Sequence, residues 1–171
     1  MSVSGQMSSK LRKSSQIDMA KEIVFTLNSV KCTVAQEHSD QVLVHFIRDV
    51  LKLKATKFGC GMDQCGACKV LIDDQVRNSC QIYLSELEGK SVMTLEGLQS
   101  SAKFISLKNS FAHENAAQCG FCTSGILITC FSLISKNNHL NEKEIKEKLK
   151  DNLCRCGVHH KILKSVVRVM N

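Results

Sequence analysis

The sequence contains no proline and no tryptophan, and it has no apolar run as long as a signal peptide or a membrane span. The missing apolar run argues against a secreted protein held by disulfides. Aromatic residues make up 5% of the chain and do not alternate with basic residues, so the pattern of a single-strand nucleic-acid binder is missing despite a formal charge of +7. Because aromatic residues are few, the core must consist mainly of Ile, Leu and Val with a few Phe. We expect a cytoplasmic protein with no membrane span and no nucleic-acid partner.

Composition and hydrophobic pattern divide the 171 residues into three regions. Residues 1–19 are rich in serine, polar and basic, and they predict a flexible tail. Residues 20–98 predict a small mixed sheet with one helix. Residues 99–171 predict four helices in a compact bundle. The expected fold class is therefore α+β, with a sheet domain followed by an all-α domain.

The predicted elements rest on local patterns. EIVFTL and KCTVA are expected to pair as a hairpin about residues 28–30. Apolar residues at helical spacing predict a helix from about residue 40 to residue 53. Two short strands are expected on either side of Asp73 and Asp74, and a further strand in SVMTLEGL. Four apolar stripes predict the helices of the second domain, over residues 103–116, 123–136, 141–151 and 158–169.

The chain has ten cysteines, and their close spacings indicate metal binding rather than disulfides. Cys60, Cys65 and Cys68 form C-x4-C-x2-C, and Cys80 follows twelve positions later. This is the plant-type spacing of four thiolate ligands for a 2Fe-2S cluster. Glycines in the loop allow amide N–H groups to turn toward an anionic cluster. A four-cysteine zinc site is the alternative, although zinc sites of that kind usually pair two C-x2-C hooks.

A second group of cysteines lies in the predicted helical domain. Cys119 and Cys122 form a C-x2-C just before one helix, and Cys154 and Cys156 form a C-x-C at the junction of the last two helices. If the helices between these pairs run antiparallel, all four sulfurs converge at one end of the bundle. Such a group alone suits zinc as well, but beside a plant-type loop it favours a second 2Fe-2S cluster. The dipoles of the helices that follow would favour an anionic cluster.

The last two cysteines are expected to be structural. Cys32 falls in the middle of a predicted strand, and Cys130 falls on the apolar face of a predicted helix. Free cysteine commonly packs as a small buried hydrophobe. We therefore expect both thiols to belong to the core and neither to bind metal.

Three segments, in this order and at these spacings, carry a resemblance to a known family. KFGCGMDQCGACKVL with the following SC, QCGFCTSG, and NLCRCG resemble the iron–sulfur subunit of the molybdenum hydroxylases, the xanthine dehydrogenase and aldehyde oxidoreductase family. The similarity runs from about Glu22 to the C-terminus. Gly157, directly after Cys156, is similar to the isoquinoline and nicotinate dehydrogenase branch, where many other members have Thr-Gly-Tyr.

The resemblance implies a β-grasp, ferredoxin-like N-terminal domain and a four-helix C-terminal domain, each with one 2Fe-2S cluster. It implies no catalytic residue in this chain. A large partner subunit would carry molybdopterin and hydroxylate an N-heterocycle, a purine or an aldehyde. Electrons would pass through the helical-domain cluster and the ferredoxin-like cluster to an FAD subunit, a cytochrome or another acceptor. By position in the family, Gln118 and Cys156 would lie beside the pterin.

Two other classes of protein stay open on the sequence. The first is an independent two-cluster ferredoxin, although a carrier of that kind has no need of a bundle that faces a pterin. The second is a structural zinc-binding adaptor, which would be colourless. Molybdenum in a co-purifying large chain separates the leading interpretation from the first alternative, and iron content separates it from the second.

Overall fold

The computed structural model describes residues 22–136 and 140–170, so the predicted tail over residues 1–19 lies outside the described residues. The strands are β1 (Glu22–Leu27), β2 (Val30–Ala35), β3 (Lys69–Ile72), β4 (Gln75–Asn78) and β5 (Ser91–Met93). The helices are α1 (Leu43–His45, continued by the π-helical turn Phe46–Val50), α2 (Ala102–His113), α3 (Thr123–Lys136), α4 (Glu142–Leu149) and α5 (His159–Met170).

The five strands form one mixed sheet in the order β2-β1-β5-β3-β4. β1 pairs antiparallel with β2 and parallel with β5, while β3 pairs antiparallel with both β4 and β5. Both hairpins turn on two residues with positive φ, which fits the tight turn that matches strand twist. Asn28 and Ser29 have φ of 51° and 68°, and Asp73 and Asp74 have φ of 47° and 61°. Both predicted hairpins are confirmed, and the first turn is one residue shorter than expected because Val30 already belongs to β2.

Two elements of the first domain are shorter than predicted. The helix expected over residues 40–53 starts at α1, because the preceding backbone pairs with a neighbouring segment: Leu43 N–H donates to the carbonyl of Ile82 at 2.8 Å. The strand expected in SVMTLEGL ends with β5, and a 3-10 turn over Leu95–Leu98 follows. There the amide of Thr94 donates to the side chain of Asn28 at 2.8 Å instead of continuing the ladder.

The second domain contains the four expected helices, each within three residues of its predicted bounds. A capping box defines the start of α4, since Glu144 N–H donates to Asn141 Oδ1 at 3.0 Å and Asn141 N–H donates to the Glu144 carboxylate at 2.8 Å. α3 and α5 each pack against the other three helices, and α3 also packs against β3 and β4 of the sheet.

The sheet joins two hydrophobic cores, one on each face. Val70 and Ile72 of β3 pack with the strands and α1, whereas Leu71 packs with the helical domain, because alternate residues of a strand point to opposite faces. All four residues of β3 are consequently buried. Lys69 has the same parity as Leu71 and is directed toward the helices. The fold therefore places the strand that follows the first cysteine loop directly against α3.

Candidate iron–sulfur sites

The first cysteine loop wraps its own backbone around the sulfur of Cys60. The amide nitrogens of Met62, Gln64 and Cys65 lie 3.3, 3.4 and 3.4 Å from Cys60 Sγ. Hydrogen bonding from the Met62 amide is the main cause that lowers the pKa of Cys60 to about 7, with the other amides adding to it. Gly61 has φ of +68°, a conformation that side chains rarely adopt. The loop is therefore built to stabilise a thiolate and a further negative charge beside it.

Cys68 and Cys80 form the buried side of this site. Cys80 lies in the 3-10 turn after β4. The neighbouring Ser79 binds the carbonyl oxygen of Cys68 through both its amide, at 3.2 Å, and its hydroxyl, at 2.7 Å. Burial raises the pKa of Cys68 to about 12, so the bare thiol is protonated there. Metal binding at this position would displace that proton.

The second site is assembled from the ends of two helices. Cys122 directly precedes α3, and its carbonyl accepts the first helical hydrogen bond, from Ile126 at 3.1 Å. Cys154 and Cys156 follow the end of α4 and precede α5. Side-chain contacts join Cys119 to Cys156 and Cys122 to Cys154. The two motifs therefore meet at one end of the bundle, as expected.

The thiols of the second site differ in the direction of their pKa shifts. The Phe121 amide, followed by the Cys156 side chain, lowers the pKa of the exposed Cys119. Burial raises the pKa of Cys122 to about 12. Burial also opposes ionisation of Cys154, but hydrogen bonding to the Val158 amide and other groups outweighs it and lowers the pKa of that thiol.

The eight predicted cysteines meet as four pairs. The pairs are Cys60 with Cys65, Cys68 with Cys80, Cys119 with Cys156, and Cys122 with Cys154. Within residues 22–136 and 140–170, no three Cys, His, Asp or Glu side chains form a group that could hold one metal ion. Four thiolates of a zinc site surround a single ion, whereas those of a 2Fe-2S cluster are shared between two irons. The amides that surround Cys60 Sγ fit an anionic iron–sulfur cluster.

The two sites lie next to each other across the domain junction. The amide of Leu153 donates to the carbonyl oxygen of Cys65 at 3.0 Å, so a single hydrogen bond links the two cysteine loops. Gly66 packs against the residues before Cys154, and Gly125 packs against the Gly66 carbonyl, where a Cβ on either glycine would collide with backbone. The close approach of the loops depends on these two glycines.

The remaining predicted residues have distinct surroundings. Gln118 is exposed beside Cys119, and Cys156 is half-buried at the same end of the bundle. Cys130 is buried in the helical core and Cys32 is half-buried beside the sheet core, as expected, and burial raises the pKa of both thiols. None of the helices in the described ranges is long and apolar enough to cross a membrane.

Sequence reasoning missed one polar cluster at the junction. Lys69 is 7% exposed and donates to Asn152 Oδ1 at 2.8 Å, and Asn152 is itself 2% exposed. Burial lowers the pKa of Lys69 from its usual range, partly opposed by the charge of Asp151. The signal in the sequence was a lysine at a core-facing strand position, directly after the predicted ligand Cys68.

Comparison with known families covers most of the chain. Residues 25–93 match the family described as a 2Fe-2S iron-sulfur cluster binding domain, and residues 94–167 match the family described as a 2Fe-2S binding domain. The predicted ferredoxin-like and helical iron–sulfur architecture is thus confirmed. The two matches together span the described sheet except the first three residues of β1, and all of the bundle except the last three residues of α5.

Individual proteins show the same relationship. The chain is 40% identical over 129 residues to one of the subunits of nicotinate dehydrogenase from Pseudomonas putida, an alignment that covers 75% of this chain and 82% of that protein. It is 37% identical over 140 residues to the alpha subunit of isoquinoline 1-oxidoreductase of Brevundimonas diminuta, which covers 82% and 91%. The crystal structure of quinoline 2-oxidoreductase from Pseudomonas putida 86 superimposes with a TM-score of 0.78 at 34% identity, over 86% of this chain and 90% of the matched chain. The chain belongs to the iron–sulfur, electron-transfer subunits of the molybdenum hydroxylases.

Proposed function

We propose that the eight cysteines bind two 2Fe-2S clusters, one in each domain. The ferredoxin-like site uses Cys60, Cys65, Cys68 and Cys80, and the helical site uses Cys119, Cys122, Cys154 and Cys156. The observation that carries this proposal is the first cysteine loop, where the amide nitrogens of Met62, Gln64 and Cys65 lie 3.3 to 3.4 Å from Cys60 Sγ. Each cluster supplies a one-electron acceptor and donor. The domain division that goes with this assignment is residues 20–98 and 99–171, after the tail over residues 1–19.

The chain's role in electron transfer follows from the order of the two sites. Gln118 and Cys156 are proposed to face the molybdopterin of a large partner subunit, which puts the helical site first in the path. Phe121 and Leu153, 49% and 59% exposed beside this site, give that face apolar surface for a partner. The junction between Leu153 and Cys65 then connects the helical site to the ferredoxin-like site.

The substrate belongs to the partner, and its class follows from the relatives. Nicotinate and isoquinoline are N-heterocycles, and Gly157 follows Cys156 as in that branch. We therefore propose hydroxylation of an N-heterocycle by the complex, with an FAD subunit or a cytochrome as the acceptor that the ferredoxin-like site reduces. The proposed location is the cytoplasm.

Purification of the tagged chain from its own organism tests this function. The expected result is a complex with a large chain, about four irons per molybdenum, and reduction of the iron–sulfur absorbance by N-heterocyclic substrates. A chain purified alone, fully loaded with iron and without molybdenum in any co-purifying protein, would contradict the proposed partner. Reduction by aldehydes but by no N-heterocycle would contradict only the substrate class.

A further inference from the structure

Lys69 is a buried lysine placed between the two cysteine sites. It directly follows Cys68 in the chain, and its side chain is 7% exposed. Its Cε lies 3.2 Å from where a Cβ on Gly66 would be, so the stem of the lysine lies along the first cysteine loop. Lys69 therefore lies buried beside the ferredoxin-like site, although it is not one of the proposed ligands.

The end of the Lys69 side chain reaches the second domain. Its Nζ donates to Asn152 Oδ1 at 2.8 Å, and the same oxygen accepts from the Thr129 hydroxyl of α3 at 3.1 Å. Asn152 lies two residues before Cys154, and its backbone N–H donates to the carbonyl of Leu149 at 2.9 Å. The ammonium group is thus fixed at the junction of the two sites by residues that are themselves buried.

The direct hydrogen-bond acceptor of this ammonium group is a neutral amide. Across residues 22–136 and 140–170, Lys69 takes part in no ion pair with a carboxylate. A buried charge is costly unless a counter-charge lies nearby. The Asp151 carboxylate acts on Lys69 through its charge but forms no ion pair with it. Thiolate-ligated clusters are anionic and gain a further negative charge on reduction, so the neighbouring ferredoxin-like site supplies additional counter-charge to Lys69.

We propose that Lys69 raises the reduction potential of the ferredoxin-like site relative to that of the helical site, and so directs electrons away from the molybdenum partner. This inference rests on the proposed function. The step that the charge favours moves one electron from the helical site, which is oxidised, to the ferredoxin-like site, which is reduced. No bond forms or breaks, and no proton is transferred. The effect falls mainly on the ferredoxin-like site because Lys69 lies along that loop and reaches the other only through Asn152.

Potentiometric titration of the purified complex, followed by electron paramagnetic resonance, tests the inference. In the Lys69→Met variant we expect the one-electron reduction equilibrium of the ferredoxin-like cluster to fall about tenfold, or about 59 mV. The helical-domain signal is expected to shift by a smaller factor and serves as an internal reference. Lys69→Arg, which keeps the charge, should stay close to the unaltered protein.

Two further variants separate charge from packing. Lys69→Gln keeps a donor for Asn152 but loses the charge, so it should shift the ferredoxin-like potential as Lys69→Met does, even if the Met variant fails to assemble. Lys103→Met removes a lysine that is exposed and contacts the carbonyl of Ile134, at the opposite end of α3 from Cys122. This control should leave both potentials unchanged.

Three results would overturn the assignment of Lys69. They are an unchanged ferredoxin-like potential in both neutral variants, equal shifts of the two clusters, or the same shift in Lys103→Met. A preparation of the unaltered complex without two 2Fe-2S signals would contradict the proposed function itself, which distinguishes failure of the function from failure of this inference.

Discussion

The two cysteine sites of this chain bring four cysteines together in different ways. The first is almost a local structure: three of its four cysteines lie on a single loop, and three amides of that loop surround one sulfur. The second is a tertiary structure, because its two motifs are separated by α3 and α4 and meet only when those helices pack. A local site is specified by spacing and glycines, and a tertiary site is specified by helix packing.

The two sites also differ in how far their cysteines are exposed. The buried pair of the first site, Cys68 and Cys80, is 2% and 5% exposed, whereas Cys119 of the second site lies on the surface. Burial of ligands links cluster binding to the stability of the domain, while exposed ligands leave a cluster accessible to a partner. The ferredoxin-like domain therefore has the more enclosed cysteine site, and the helical domain has the more exposed one.

The largest effect is expected from Cys80→Ser. Loss of this buried ligand should abolish the ferredoxin-like cluster signal, remove about two of four irons per chain, and lower the thermal stability of that domain, because cluster binding contributes folding free energy. Iron analysis, electron paramagnetic resonance and thermal melting measure these effects. Cys32→Ser is the matched control, since this half-buried thiol lies outside both sites, and it should keep both signals. Two intact signals in Cys80→Ser would remove this residue from the ligand set.

The next effect is expected from Cys119→Ser. The helical-domain signal should disappear while the ferredoxin-like signal stays, and the melting temperature should fall less than in Cys80→Ser because Cys119 is exposed. The same spectroscopy and melting experiment apply. Loss of both signals in a variant with unchanged circular dichroism would show that the two sites are not independent.

Gly66→Ala tests the junction between the two loops. Gly66 has φ of +72°, and an added Cβ would meet the backbone oxygen of Asp151. We expect a loss of about 2 to 4 kcal/mol in unfolding free energy, since an unfavourable backbone conformation and overpacking act together. Denaturant unfolding of the loaded chain measures it. A loss below about 1 kcal/mol would mean that the loops are not closely packed here.

Gly120→Ala is the matched change in the second loop and the smallest effect expected. Gly120 has φ of +80°, but an added Cβ would meet nothing within 4 Å. Only the backbone cost applies, so we expect about 1 kcal/mol. The same unfolding experiment measures it. A loss as large as that of Gly66→Ala would contradict the difference in packing between the two loops.

The features that the sequence predicted best depend on local pattern. Cysteine spacings, turn residues such as Asp73 and Asp74, and the apolar stripe of α3 are written in consecutive residues, and α3 has the predicted bounds. The start of α1 was missed because it depends on backbone pairing with Ile82, about forty residues away. The contact between Lys69 and Asn152 was missed for the same reason, since it exists only when β3 docks against the helical domain.

The most direct test of the account is iron and zinc analysis of the anaerobically matured chain, with electron paramagnetic resonance after dithionite reduction. Two four-cysteine sites that each bind one cluster predict about four irons per chain and two distinguishable 2Fe-2S signals. Two zincs and no signal would contradict the account, because the two cysteine sites would then be structural and no electron could pass between the domains.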